Sequence, residues 1–152
     1  MKRILCFAVL LAVIFPIISI GCMAKEENEE TVVGYFDDGS YMTEMIEING
    51  VRATGTITGT KTRTYYGSSG TTKWQAILTG KFSYNGTSAT CTSASIDVTI
   101  YDSAWYVISK SASRSGNTAY GTATLGEKVL GVTVSEVPVN LTLSCDANGN
   151  LS

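Results

Sequence analysis

The stretch WQAILTGKFSYNG, from Trp74 to Gly86, decides how the fold of this chain is interpreted. Up to Tyr84, mostly apolar residues alternate with mostly polar ones, which is the two-residue period of a half-buried strand. The apolar set consists of Trp74, Ala76, Leu78, Gly80, Phe82 and Tyr84. Asn85-Gly86 then favours a two-residue hairpin turn of type I′, in which both central residues need positive φ. The stretch therefore predicts a long strand that turns back into a second one.

That turn also predicts which residues face one another across the hairpin. Counting outward from Asn85-Gly86 places Tyr84 opposite Thr87 and Gly80 opposite Cys91. Directly opposite residues share a face of the sheet. Cys91 is therefore predicted to point into the core, in the room that Gly80 leaves.

The rest of the chain repeats this cadence of short alternating segments separated by turn residues. Further strands are predicted around residues 95–100, 118–125, 130–135 and 139–145, with turns at Gly67–Gly70, Ser115–Asn117, Gly126-Glu127 and Asn148-Gly149. Seven or eight such strands predict an all-β protein built as a single antiparallel β-sandwich, Ig-like or jelly-roll-like. A small β-barrel is the alternative.

The N-terminus has the pattern of a secretory signal peptide. Lys2 and Arg3 precede an apolar run, and cleavage after Ala24 would leave small residues at the required positions. Cleavage before Cys22 is the alternative, and it would produce a lipid-anchored protein. The sequence therefore predicts a signal peptide at 1–24, an acidic flexible leader at 25–40 and the sandwich domain at 41–152. The expected location is outside the cell, or at the cell membrane through lipidated Cys22.

Two cysteines, Cys91 and Cys145, remain after cleavage. Cys145 shares the apolar parity of its strand, so both are predicted to face the core. Exported chains can keep disulfides, and a disulfide between these two cysteines is predicted. Two buried thiols are the alternative, since cysteine is often a small core residue.

Composition excludes several kinds of chemistry. The chain has no histidine, which rules out Ser-His-acid triads, Cys-His dyads and His-ligated zinc. It also lacks a phosphate-binding loop and the βαβ units of nucleotide folds. No metal, no cofactor and no enzymatic activity are predicted. A carboxylate hydrolase is kept as an alternative, and its candidate acids are Asp97, Asp102, Glu127, Glu136 and Asp146.

Aromatic residues near loops are the best sequence indication of binding. Tyr65 and Tyr66 precede a Gly-Ser loop, and Trp105 and Tyr106 follow Asp102-Ser103. Such side chains can stack on sugar rings or dock peptides. The candidate partners are a surface glycan, a wall polymer or a protein. The small excess of basic residues after residue 50 is too weak to predict nucleic-acid binding, and membrane contact is expected only through the signal or a lipid anchor.

The block from Tyr65 to Gly126 resembles a family of short exported proteins of Gram-positive bacteria with no assigned function. The resemblance covers roughly residues 40–152 and is carried by the segments TTKWQA, NGTSATCTS, TIYDSAWY, SKSASRSGNTA and NLTLSC. It implies export and a Gram-positive source. It supplies no functional residues.

Three functions follow as hypotheses. The first is a secreted or envelope-associated binding protein without enzymatic activity. The second is a secreted effector of the bacteriocin type, which would inhibit the growth of neighbouring strains. The third is the carboxylate hydrolase, which requires a cleft that holds two acids.

Overall fold

A computed structural model describes residues 29–49 and 55–152 of the chain. The predicted signal peptide 1–24 with Cys22, and the beginning of the predicted leader, lie outside the described residues. The described part is all-β and contains eight strands. They are β1 (Thr31–Tyr35), β2 (Tyr41–Ile48), β3 (Thr56–Tyr66), β4 (Thr72–Tyr84), β5 (Ala89–Ile100), β6 (Trp105–Ser115), β7 (Thr118–Val129) and β8 (Val132–Ser144).

The strands form two open antiparallel sheets that pack as a sandwich, which confirms the predicted architecture. One sheet has the order β1-β2-β3-β4-β5 and the other has β6-β7-β8. The second sheet covers the first through contacts of β7 with β4 and β5, and of β8 with β3 and β4. Within each sheet every strand pairs with its sequence neighbour, so the topology of each sheet is a meander. This corrects the Ig-like or jelly-roll-like expectation, because both of those folds need Greek-key crossings.

The core lies between the two sheets and follows the predicted parity. Trp74, Ala76 and Leu78 on β4 are completely buried. They pack against the apolar faces of β7 and β8, which include Leu125, Val139, Leu141 and Leu143. Periodicity predicted these faces correctly because each sheet has one face against the other sheet and one face against solvent.

The β4–β5 hairpin differs from the predicted two-residue turn. Its loop runs from Asn85 to Ser88, and Tyr84 pairs with Ala89. The side-chain Oδ1 of Asn85 accepts hydrogen bonds from the backbone N–H groups of Thr87 and Ser88 at 3.0 and 2.9 Å. This local turn replaces the type I′ geometry, since asparagine side chains readily hydrogen-bond the backbone two residues on.

The longer loop shifts the strand register around Cys91. Phe82 pairs with Cys91, and a bulge at Lys81/Phe82 brings Gly80 opposite Ala94. Cys91 still points into the core, as predicted, because two residues of shift preserve the face. Gly80 therefore makes room for a different group: a Cβ atom there would lie 2.6 Å from the Phe82 ring.

The five-stranded sheet begins earlier in the chain than the sequence indicated. β1 lies inside the segment 25–40 that was predicted as a flexible leader, and it pairs with β2 from Thr31↔Glu44 to Tyr35↔Tyr41. Val32 and Val33 are β-branched and suit a strand. The acidic residues of this segment led to the prediction of a flexible leader, although Val32 and Val33 themselves are apolar.

The β7–β8 connection also differs from the prediction. The expected turn at Gly126-Glu127 is continuous strand, and the chain reverses at Leu130-Gly131 instead. Val129 pairs with Val132 across this turn. Leu130 and Gly131 have φ angles of 51° and 82°, so both have the positive φ of a tight hairpin turn.

Candidate binding surface

Trp105, a predicted ligand-binding residue, is a core residue. Its side chain is only 5% exposed, and it belongs to the hydrophobic core. Trp105 begins β6, which places it directly opposite the first sheet and 6.1 Å from the Trp74 ring. The prediction of an exposed loop aromatic is corrected here, because the tight turn before β6 directs Trp105 inward.

Tyr65 is also turned inward, where it stacks on Trp74 and contacts Trp105 at a tilt. Its ring lies 5.4 Å from that of Trp74, nearly parallel, and 5.1 Å from that of Trp105. Its hydroxyl donates a hydrogen bond of 2.8 Å to Ser40, which is itself buried. Tyr65 therefore joins the two sheets at this end of the sandwich, and its role as an exposed binding residue is corrected as well.

Tyr66 lies on the opposite face of β3 and belongs to a row of tyrosines. It stacks on Tyr41 with the ring centres 4.8 Å apart, and Tyr35 follows at 6.0 Å from Tyr41. The Tyr66 hydroxyl donates to Glu30 at 3.1 Å. Partial burial and this hydrogen bond both raise the pKa of Tyr66, which stays neutral in the physiological range. The stacking covers one ring face of Tyr66 and one of Tyr41, so these faces are not available for stacking on a sugar.

Tyr106 is the predicted binding residue with the most informative surroundings. Its ring lies over Gly126, where a Cβ atom would be 2.6 Å from the ring. The Lys128 ammonium lies 4.2 Å from the ring centre. The Tyr106 hydroxyl is 2.7 Å from that of Thr133. Tyr106 is thus held at the base of the β7–β8 hairpin.

The hairpin that Tyr106 supports extends beyond the rest of its sheet. Trp105, the first residue of β6, pairs with Glu127, and the last backbone contact to β7 is from Lys128 N–H to the Ala104 carbonyl at 2.8 Å. The segment beyond Lys128 carries four exposed aliphatic side chains, which we call the apolar tip. They are Val129 (52% exposed), Leu130 (100%), Val132 (65%) and Val134 (55%).

The apolar tip was missed at the sequence level because its valines were assigned to a buried strand face. A detectable signal exists in Val129-Leu130-Gly131-Val132, where a glycine at the centre of a symmetric apolar segment allows a tight reversal. Solitary exposed aliphatic residues are ordinary, whereas a cluster at a protruding end suggests an interaction surface.

Leu130 carries backbone strain, because its turn requires a positive φ at a position that leucine occupies. A positive φ costs a branched residue about 1–2 kcal/mol, whereas asparagine adopts it readily. We expect Leu130→Asn to raise the free energy of unfolding by about 1 kcal/mol in urea titrations. Leu130→Ala, which keeps the strain but shortens the side chain, should give no such gain. A loss of stability in Leu130→Asn would contradict this account of the turn.

Cys91 and Cys145 are both buried, the structure shows no bond between them, and the Cys91–Cys145 disulfide stays a prediction. Their backbones hold the two sides of the β6–β7 turn: Cys91 N–H donates to Gly116 at 2.8 Å, and Cys145 N–H donates to Asn117 at 3.0 Å. Shared core parity was a correct inference, but parity does not bring two sulfur atoms into bonding distance. Burial raises the pKa of Cys91 and keeps it a thiol.

A pocket of about 400 Å³ adjoins Cys91. Arg114 lines it and donates a hydrogen bond of 2.9 Å to the Cys91 carbonyl. The remaining lining residues are Thr90, Ser115 and Gly116. Since the Cys91 thiol is protonated and Arg114 is engaged with the backbone, this pocket has no activated nucleophile.

A charged cluster lies between β2 and β3. Glu44 forms ion pairs with Lys61, at 3.2 Å, and with Arg63. All three side chains are mostly buried, at 17–20% exposure. Burial alone would raise the pKa of Glu44, but the hydrogen bond from Arg63 and the two positive charges outweigh it, so the pKa lies below its ordinary value of 4.5. The Glu44 carboxylate thus offsets part of the charge of two neighbouring cations, and the three groups together carry a net charge of +1.

Glu44→Gln should therefore destabilise the fold at neutral pH by about 1 kcal/mol, because it leaves two half-buried cations without a carboxylate. The depressed pKa adds stability above the ordinary pKa of Glu44, and this stability is lost as the pH falls through the lower value of the folded state. The variant should consequently show a flatter decline of stability below pH 4.5.

Thermal unfolding of the variant and of wild type, measured between pH 3 and pH 7 in steps of about one pH unit, compares how their stabilities depend on pH. Asp97→Asn is the matched control, because Asp97 and its partner Lys110 are far more exposed. Exposed pairs contribute little. An equal effect in both variants would show that the burial of Glu44 is unimportant.

In residues 29–49 and 55–152, no group of three or more metal-binding side chains converges, and no helix is long and apolar enough to cross a membrane. The chain matches no protein family, no curated protein and no solved structure.

Proposed function

We propose that the protein is an exported binding module of a Gram-positive cell envelope, without enzymatic activity, and that the apolar tip is its contact surface. The fully exposed Leu130, held at a strained φ, is the observation that carries this proposal. Strained residues persist where a function retains them. Of the four predicted binding aromatics, Tyr106 supports the tip, whereas Trp105 and Tyr65 stabilise the core.

The surroundings of the candidate acids support a binding role over hydrolysis. Asp97 pairs with Lys110 at 2.9 Å, and Asp102 pairs with Lys73 at 2.7 Å. The hydrogen bond from Lys73 lowers the pKa of Asp102. A general acid needs a pKa raised toward neutrality. The hydrolase alternative would require Asp97→Asn or Asp102→Asn to abolish an activity of the purified protein.

Binding to fractionated Gram-positive envelopes tests the proposal. The exported protein is mixed separately with purified membranes and with purified cell walls, and the bound fraction is measured after sedimentation. Wild type should bind at least one fraction, and a Leu130→Asn/Val132→Thr variant should bind about tenfold less, since two aliphatic side chains that the contact would bury are replaced by polar ones. Val33→Thr, which alters an exposed valine on β1, is the control. Equal binding of the tip variant to every fraction would rule out the tip as the contact surface.

An effector that acts on other cells is the second candidate, and the same exposed tip favours it. Purified protein added to neighbouring strains would then inhibit their growth, and the tip variant would lose this effect. Growth at the normal rate over a wide range of protein concentrations would remove this candidate and leave the envelope-binding proposal unchanged.

The mass of the exported product tests both its location and its thiols. A protein in the medium that begins at Lys25 would establish release, whereas a membrane-bound product that begins at a diacylated Cys22 would establish a lipid anchor. Without a bond between Cys91 and Cys145, the mass should be the same before and after reduction. An unreduced mass lower by two hydrogens would establish the disulfide.

A further inference from the structure

We infer that the apolar tip inserts into a lipid surface, so that the three-stranded sheet anchors the domain on the outer leaflet of an anionic membrane. This inference rests on the proposed binding function and names its partner. It also adds a membrane contact that is independent of the signal peptide and of Cys22.

The shape of the tip is the first argument. Among the strands that the structure describes, none neighbours the hairpin beyond Lys128, and the turn residue Leu130 is fully exposed. A convex apolar projection needs a partner that surrounds it. A fluid lipid phase does this without a preformed cavity, whereas a protein partner must supply a matching pocket.

The order of side chains along the hairpin is the second argument. Aliphatic residues occupy the end, and Tyr106 and Lys128 lie together at its base, with the ammonium 4.2 Å from the ring centre. Tyrosine and lysine are the residues that proteins place at the level of lipid headgroups. Lys128 can also attract an anionic headgroup, because its charge is exposed.

The length of the tip is the third argument. Beyond the Lys128↔Thr133 pair the hairpin adds only the Val129↔Val132 pair and the two-residue turn. This length of roughly 5 Å corresponds to the shallow end of interfacial insertion, which is about 5–10 Å. Glu136 lies two residues beyond Val134 on β8 and is exposed. Its charge limits insertion, because a carboxylate is costly in the hydrocarbon region.

The tip pairs part of its own backbone, which suits the interfacial region of a bilayer, where water still reaches the remaining groups. Val129 and Val132 pair across the turn, so the groups that face each other within the hairpin are satisfied. The turn itself holds leucine where asparagine would relieve strain. A lipid contact gives a reason for this choice, since asparagine at the apex would be costly to transfer into the bilayer.

Vesicle sedimentation tests the inference. The full chain is expressed and exported with Cys22→Ser in every sample, so that a lipid anchor cannot contribute to binding. The probe is large vesicles of equal parts phosphatidylglycerol and phosphatidylcholine, compared with phosphatidylcholine alone. We expect binding to both, stronger on the anionic vesicles, and a loss of about tenfold or more in Leu130→Asn/Val132→Thr. Val33→Thr should bind as wild type does.

A second measurement places the tip in the bilayer directly. In Leu130→Trp, the new indole should shift its emission to shorter wavelength when vesicles are added, while the buried Trp74 and Trp105 contribute a constant background. Lys128→Gln should reduce the preference for anionic vesicles and leave binding to neutral ones.

The outcomes separate this inference from the proposed function. If wild type stays in the supernatant with vesicles but the tip still mediates sedimentation with cell walls, the lipid inference is overturned and the binding function stands. If the tip variant behaves as wild type with vesicles, membranes and walls alike, both are overturned. Vesicle binding by the tip variant equal to wild type, with no emission shift in Leu130→Trp, would also refute insertion.

Discussion

Replacing Trp105 with alanine is expected to lower the free energy of unfolding by about 3–5 kcal/mol, which is a large share of the stability of a domain this size. The side chain is almost fully buried and contacts both Tyr65 and Trp74 across the two sheets. Its removal leaves a cavity that the long strands cannot collapse to fill, and it also ends two aromatic contacts.

Urea unfolding followed by far-ultraviolet circular dichroism measures this loss. Tyr106→Ala is the matched control, because it removes the next aromatic residue of β6 from a half-exposed position at the hairpin base. Its cost should be well below that of Trp105→Ala. Near-normal stability of Trp105→Ala would support the interpretation that the sequence alone kept open, in which Trp105 serves a ligand.

Trp105 illustrates where sequence patterns stop being informative about a site. The residues around it indicate a turn followed by the aromatic pair Trp105-Tyr106, and the sequence allows either ring to face inward. Only the packing of β6 over β5 and β4 decides that Trp105 enters the core and that Tyr106 supports the hairpin. The same limit applied to Tyr65 and Tyr66, whose alternate orientation follows from the strand but whose inner face does not.

The parity of the strands was predictable because it depends on a local period and on the one-sided burial of each sheet. Turns were less so. Asn85-Gly86 favoured a two-residue loop by propensity, yet the Asn85 side chain caps Thr87 and Ser88 and lengthens the loop. The apolar tip was not predicted because hydrophobic residues in a strand usually indicate burial. A protruding hairpin is an exception, and only the relative lengths of β6, β7 and β8 reveal it.

The register shift in the β4–β5 hairpin changes which side chain the small size of Gly80 accommodates, because the Phe82 ring lies there in place of Cys91. A valine at this position is expected to destabilise the protein by about 3 kcal/mol, at the upper end for overpacking. Its Cβ would lie 2.6 Å from two atoms of the Phe82 ring and 3.3 Å from the Ala119 Cβ in the opposite sheet. The ring and the facing strand are both buried, so neither can move without disturbing the core.

Chemical unfolding of Gly80→Val measures this cost, and Gly34→Val is the matched control, since a Cβ at Gly34 meets nothing within 4 Å. The cause is then isolated by adding Phe82→Leu to Gly80→Val. If the ring is what the valine strikes, the second substitution should cost much less in the valine background than in wild type, because the two positions compete for one space. Additive costs would instead place the strain in the contact with Ala119, between the sheets.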